Sequence, residues 1–347
     1  MTDTTDAMRA VVYDAPRSFA VREVPRPTAG PGEVVVDVDL AGVCGTDHHL
    51  HEGGFFAAFP LTPGHESTGT VREVGAGVEH LVPGRRVAVD NASVCGRCSE
   101  CSRGNHLFCT EFHSLGVNAP GGFAQSLVSP AFKVYPADDL PADVAVFAEP
   151  LACAVHGMDV LALRPGADVL VVGAGTTGLL LAQLLLHGGA GRVTVAAPTP
   201  FKLELAASYG VDRVVQVTRD AAETARTLAA LQPAGFDVTV DVTGAAAVVQ
   251  TLPGLTADNG TVFVYGMCDE DARVAWSPYD VFRRQLTVKG SFAQVNCMDR
   301  SLALLRSGRV RTDGLITHRF PLAEYGAALH ALRHDPTSLK VVVEPGR

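Results

Sequence analysis

Val169-Leu-Val-Val-Gly173-Ala-Gly175-Thr176-Thr177-Gly178 runs from a short apolar strand into a turn of the form G-x-G-x-x-G, and Thr177 to His187 reads as a leucine-rich helix. In a strand-turn-helix unit the glycines allow a tight turn, and a pyrophosphate can then approach backbone N–H groups at the helix N-terminus. A glycine turn needed only for packing is the bland alternative, so the flanking pattern decides. Strands are expected at Val193 to Ala197, Val214 to Val217, Asp237 to Asp241, Thr261 to Tyr265 and Leu286 to Lys289. Helices are expected at Phe201 to Tyr209, Ala221 to Leu231 and Ala245 to Leu255. Alternation of this kind specifies right-handed crossovers and a parallel sheet with helices on both faces. With Ala167 to Val172 there are six strands, enough for a doubly wound dinucleotide-binding sheet.

Before Glu149-Pro150 the texture differs. Ala10 to Tyr13, Gly32 to Leu40, Thr68 to Val74 and Arg85 to Val89 read as short strands between glycine-rich turns, a small antiparallel, barrel-like domain. The tail after Met298 holds a helix, a strand at Ile316 to Phe320, another helix and a strand at Leu339 to Val343, and is expected to return to the first domain. The 347 residues exceed what one core usually serves, which points to two domains. Hydrophobic residues make up 47% and charged residues 19%, a globular composition. A net charge of -9 without a lysine or arginine block argues against nucleic acid or an anionic membrane as partner. The polar, acidic start Met1 to Met8 has no signal-peptide pattern, and no apolar run reaches the ~20 residues of a membrane span, so a cytoplasmic protein is expected.

Eight cysteines in such a chain read as metal ligands or buried thiols. Cys95, Cys98, Cys101 and Cys109 crowd into one short lobe with the content of a closed, structural Cys₄ zinc site. A nucleic-acid-binding ribbon is disfavoured by the charge, and a redox pair needs only two thiols. A second set is built differently: Cys44 offers a thiolate, His65 an imidazole, and Glu66 or Glu149 a carboxylate. Three protein ligands with one open position suit a catalytic zinc, which lowers the pKa of an alcohol so that its carbon can yield a hydride to a nicotinamide. Thr46 could take the hydroxyl proton and pass it, through the cofactor ribose, to His49. Singly, each residue has an ordinary structural reading, and their combination carries the inference. At the end of the second strand, Ala197 stands where a ribose-binding acid is expected. With Thr199 and Lys202 available for a phosphate, the cofactor reading leans to NADP over NAD.

Taken together, Cys44-Gly-Thr46-Asp-x-His49, Gly64-His65-Glu66, the Cys95 to Cys109 lobe and Gly173 to Gly178 resemble the zinc-dependent medium-chain dehydrogenase/reductase family nearly end to end. The resemblance implies a GroES-like, β-rich catalytic domain at 1–150 and 291–347 and a Rossmann domain at 151–290. It also implies two zinc ions per subunit and a homotetramer. Glu149-Pro150-Leu151 resembles the polyol dehydrogenase branch. Trp276-Ser277-Pro278, Lys289 to Gln294 and Ser307 to Thr312 are similar to NAD(P)-dependent arabinitol dehydrogenases, which implies a pentitol-like polyol or sugar as substrate. The same resemblance sets Gly266, Ser291 and Phe292 near the nicotinamide and Lys340 near the pyrophosphate, although Lys340 could also be an ordinary surface lysine. Two rivals stay open. One is a dehydrogenase of an amino or cyclitol alcohol, the other a non-catalytic dinucleotide-binding regulatory protein with a structural zinc alone.

Overall fold

A computed structural model describes residues 6–347, leaving the first five residues of the acidic start outside the described part. The chain divides into two compact units. One runs up to Ala152 and includes Val295–Gly308 and Thr312–Arg347; the other is Cys153–Gln294 with Arg309–Arg311.

In the second unit, six strands form a wholly parallel sheet in the order Arg213–Gln216, Arg192–Ala197, Asp168–Val172, Phe236–Asp241, Thr256–Val264, Thr287–Gly290. That order is the doubly wound arrangement of a dinucleotide-binding sheet. Chain order reverses between Asp168–Val172 and Phe236–Asp241, and the crevice beyond their carboxyl ends is where such sheets take ligands. The central strands are continuous apolar runs because both faces are covered; Leu170, Phe236, Leu252 and Val262 are fully buried between sheet and helices. Thr256–Val264 starts five residues earlier than the apolar pattern indicates. Its pairing jumps from Phe236↔Thr256 to Val238↔Thr261, and the polar bulge between them contains Asn259 at φ 61°.

The first unit is built on Glu33–Val43, whose side chains are buried along most of its length. Glu66–Val74 pairs with it antiparallel, followed outward by Arg86–Val89 and Val134–Pro136, while Ser126–Pro130 pairs with its first half. The tail does return: Lys340–Glu344 inserts between Ile316–Pro321 and Glu33–Val43. The expected all-antiparallel character fails at one place, since Ile316–Pro321 and Lys340–Glu344 run parallel, joined through helix Tyr325–His334. A parallel pair needs such a crossover. Val34, Val36, Phe123, Tyr325, Val341 and Val343 share this unit's core, each buried large side chain contributing about 1.5–3 kcal/mol of transfer free energy.

One stretch, Ala142–Leu161, has the length and mean hydropathy (1.5) of a membrane span. Sixty-seven percent of it is buried inside the molecule, the position of a core helix.

Candidate metal centre and nucleotide-binding edge

The register of two neighbouring strands assembles the first cluster. Gly42 lies opposite Glu66, so the end of Glu33–Val43, continuing into Cys44, meets the start of Glu66–Val74, preceded by His65. Gly64 makes the approach possible at φ 99°, because a Cβ there would sit 2.6 Å from the backbone N of Phe123. Cys44 also caps helix Gly45–Glu52, and Asp47 in its first turn accepts a hydrogen bond from the Cys44 N–H at 2.8 Å. The ligand atoms of Cys44, His65 and Glu66 all lie within 4.8 Å of one another. Glu149, near the start of helix Ala148–Leu161, is buried and its charge bears on both His65 and Lys340, but it is not one of those three close donors.

The electrostatics of this cluster favour a bound cation. Asp47, His65, Glu66 and Lys340 are all buried. Burial lifts the Asp47 carboxyl to about 6, with His65 and the Cys44 N–H opposing. For His65, burial works against the charged form, yet the Asp47 charge, the Cys44 thiol and Glu149 outweigh it and raise the imidazole well above its ordinary value. An imidazole drawn towards the charged form by surrounding acids and a thiol marks a place of negative potential, which a divalent ion would neutralise. Among the described residues the buried His65 Nδ1 and Asp47 Oδ1 have no hydrogen-bond partners, and they face each other at 3.7 Å, an ion-pair separation. Soft sulfur, imidazole and carboxylate together suit zinc.

Asp47 is a site residue that motif spacing does not single out, because the third residue of a helix is ordinarily an acid for capping reasons alone. Lys340 is no surface lysine: at 4% exposure its ammonium donates to Glu66 Oε2 and to Val43 O at 3.4 Å. Its partners are thus one carboxylate of the metal cluster and the backbone of the strand that leads into Cys44. Thr46 Oγ1 lies 3.9 Å from Cys44 Sγ, and His49 is half-buried farther along the same helix. His51 is held by Tyr13, whose hydroxyl is 2.9 Å from its Nδ1.

In the lobe, the four Sγ atoms of Cys95, Cys98, Cys101 and Cys109 also lie within 4.8 Å of one another, and all are free thiols. Backbone N–H groups point at the sulfurs: Cys98 N to Cys95 Sγ at 3.3 Å, Cys101 N to Cys98 Sγ at 3.5 Å, and Cys95 N and Glu111 N to Cys109 Sγ at 3.3 Å. Hydrogen bonds from the Cys101 and Thr110 backbone push the Cys98 thiol down to about 5, whereas burial and neighbouring thiols push Cys101 up to about 12. The four sulfurs fit a closed tetrahedral zinc.

The glycine turn of the second unit fits a phosphate group. Gly173 has φ 116°, and a Cβ there would meet Val242 Cγ2 at 2.8 Å; at Gly178 it would meet Gly173 O at 2.6 Å. Gly175 differs, since no atom lies within 4 Å of its would-be Cβ, leaving room against the backbone. Thr176 and Thr177 open the following helix, and the buried Thr176 hydroxyl has no partner among the described residues. Gly266 N donates to Asp241 O at 2.8 Å, and Ser291 N to Val264 O at 3.3 Å, so both sit at the carboxyl edge of this sheet, followed by Phe292. The Ser291 hydroxyl is buried and has no partner among the described residues. Ala197 closes its strand and is buried, Thr199 precedes helix Pro200–Ser208, and Lys202 lies in that helix's first turn.

The chain matches two family profiles, "Alcohol dehydrogenase GroES-like domain" over residues 30–139 and "Zinc-binding dehydrogenase" over residues 176–307. It is 42% identical to D-arabinitol dehydrogenase 1 of Uromyces fabae across 97% of each chain. With D-altritol 5-dehydrogenase of Agrobacterium fabrum it shares 34% identity, over 96% of this chain and 98% of that one. A crystal structure from Sinorhizobium meliloti 1021, described as a zinc-binding dehydrogenase bound to NADP, superposes with a TM-score of 0.92 at 31% identity, covering 98% of this chain and all of that one. Likeness of this extent, carried through both units, places the chain in the zinc-binding dehydrogenases of the alcohol dehydrogenase family.

Proposed function

We propose that the protein interconverts a secondary alcohol of a pentitol-like polyol or sugar with its ketone, using NAD(P) with a preference for NADP. The observation that carries this reading is the cluster of half-buried Cys44 with buried His65 and Glu66, in a chain whose relatives include two polyol dehydrogenases. A zinc ion held there would acidify the substrate hydroxyl, and a nicotinamide would accept the hydride.

The chain's own residues have the remaining tasks. Cys44, His65 and either Glu66 or Glu149 hold the metal. Asp47 orients the His65 ring, and Lys340 balances the Glu66 charge. Thr46 accepts the hydroxyl proton's hydrogen bond and His49 returns that proton to solvent. The catalytic part comprises residues 1–150 and 291–347 and binds a second, structural zinc through Cys95, Cys98, Cys101 and Cys109. Residues 151–290 hold most of the cofactor, with Gly173, Gly175, Thr176, Thr177 and Gly178 at the pyrophosphate, Ala197, Thr199 and Lys202 at the adenosine ribose and Gly266 towards the nicotinamide, where Ser291 and Phe292 of the following segment join it. Free thiols fit a cytoplasmic protein, and the family resemblance is the ground for expecting a homotetramer.

The test is a spectrophotometric panel of pentitols, hexitols, amino alcohols, cyclitols and simple alcohols against both cofactors, repeated after chelation and on Cys44→Ala. Polyol oxidation that disappears with metal or with Cys44 is expected. Full turnover without either removes the mechanism.

A further inference from the structure

A fully buried acid ends one of the two strands between which the order of the nucleotide sheet reverses. Asp241 closes Phe236–Asp241 and lies opposite Val172, the last residue of Asp168–Val172. Its carboxylate is held by donors alone. Oδ1 accepts from Thr243 N at 2.9 Å and from the Thr243 hydroxyl at 2.5 Å, and Oδ2 accepts from Gly244 N at 3.1 Å. The Thr243 oxygen itself accepts from Ala245 N at 3.1 Å, which leaves its proton for Asp241. No partner needs a carboxyl proton, so the arrangement fits the ionised form. Yet Asp241 forms no ion pair among the described residues, and burial lifts its pKa above the ordinary carboxylate value while the three hydrogen bonds oppose the lift. A charge kept in the interior without a counter-ion is costly, and a cation brought beside it recovers part of that cost.

The carboxylate lies between the two loops that flank the crevice. On one side, Val242 N donates to Val172 O at 3.1 Å, where the chain enters the turn at Gly173. On the other, Tyr265 N and Gly266 N donate to Asp241 O at 3.1 and 2.8 Å, and a Cβ at Gly266 would stand 2.7 Å from Asp241 Oδ2. Only glycine lets that backbone lie so close to the carboxylate. The negative field extends along this loop, since Cys268 has its pKa raised by burial and then by the charges of Asp241 and Asp269. Doubly wound sheets take their dinucleotide at this reversal of strand order.

We propose that Asp241 makes the site discriminate between the redox states of its cofactor: the fixed negative charge favours the oxidised nicotinamide, whose ring is a cation, over the reduced ring, which is neutral. The inference rests on the NAD(P)-dependent reading above, in which Gly266 faces the nicotinamide. The oxidised ring supplies the counter-charge that the surrounding protein does not, and the attraction is lost when the ring takes up hydride.

Calorimetric titration of the full-length, zinc-loaded protein with the oxidised and the reduced forms of NADP and of NAD tests it, because binding is read without turnover. Asp241→Asn keeps the shape and removes the charge, and the affinity for the oxidised form relative to the reduced form should fall at least about fivefold. Asp241→Ser, smaller and also neutral, should give the same change and repeats the measurement if the amide weakens the fold. Thr243→Val removes a donor but leaves the charge, and should keep the relative affinity of the wild type. A relative affinity that stays constant in the neutral variants would refute the assignment alone. Equal weakening of both forms would also overturn it, by showing an acid that only braces the loops, and so would a change in Thr243→Val as large as that in Asp241→Asn. A wild type that binds neither form would refute the NAD(P)-dependent reading and this inference with it.

Discussion

The Glu66 carboxylate occupies the space that a side chain at Gly42 would fill: a Cβ there would stand 2.0 Å from Glu66 Oε2. Gly42→Ala should therefore push the carboxylate off Lys340, and disturbing a buried ion pair costs up to about 3–5 kcal/mol. Turnover should fall at least about tenfold and the melting temperature should drop, as assay and thermal melt would show, whereas Gly254→Ala, in open space, should leave both unchanged. Asp47→Asn keeps the shape but removes the charge facing His65 Nδ1. Zinc affinity measured by chelator competition should fall about 10–100-fold, the usual effect of losing a carboxylate behind a histidine ligand; an unchanged affinity would deny Asp47 that role. Cys44, His65 and Glu66 could be picked out in the sequence because thiol, imidazole and carboxylate are scarce metal-binding types. Gly42 could not, since its importance depends on which residue lies across a strand pair. Asp47 was hidden by its ordinary place in a capped helix, where one oxygen serves the Cys44 N–H and the other faces His65.

Among elements, the cysteine lobe is the least able to hold itself together. It contains a four-residue helix, Ser99–Ser102, and one 3₁₀ turn, His106–Phe108, far below the length at which helices persist alone. Its order should come from the metal. Removing zinc, or making Cys98→Ser, should raise hydrogen exchange across residues 95–109 while the parallel sheet stays protected. The pH dependence has a definite sign. Protons compete with zinc for sulfur, and Cys101, held at about 12, must lose one to bind. Zinc retention should therefore weaken steadily on acidification, with Cys101 taking up a proton more readily than Cys98. A dye that reports zinc release would follow this, and retention independent of pH would contradict it. The parallel strands were legible because apolar runs alternate with helices of ordinary length. The early start of Thr256–Val264 was not, because Asp258-Asn259-Gly260 reads as a turn although the structure uses it as a bulge within the strand. The parallel pairing of Ile316–Pro321 with Lys340–Glu344 is non-local and leaves no mark in either segment.

For the whole molecule, elemental analysis should find two zinc ions per chain, and light scattering should give four times the 36.3 kDa chain mass; one zinc would favour a binding protein without catalysis, and a monomer would refute the tetramer. The insertion of Lys340–Glu344 beside Glu33–Val43 also sets an order of events during synthesis. Every proposed donor to the catalytic metal leaves the ribosome in the first half of the chain, but the ammonium that neutralises Glu66 arrives 297 residues after Val43, the other group it touches. Until then Glu66 has no counter-charge to accompany it into the interior, and the edge of Glu33–Val43 stays open. The nascent chain can thus display the ligands early, whereas the contact between Lys340 and Glu66 forms only once the last strand has been made.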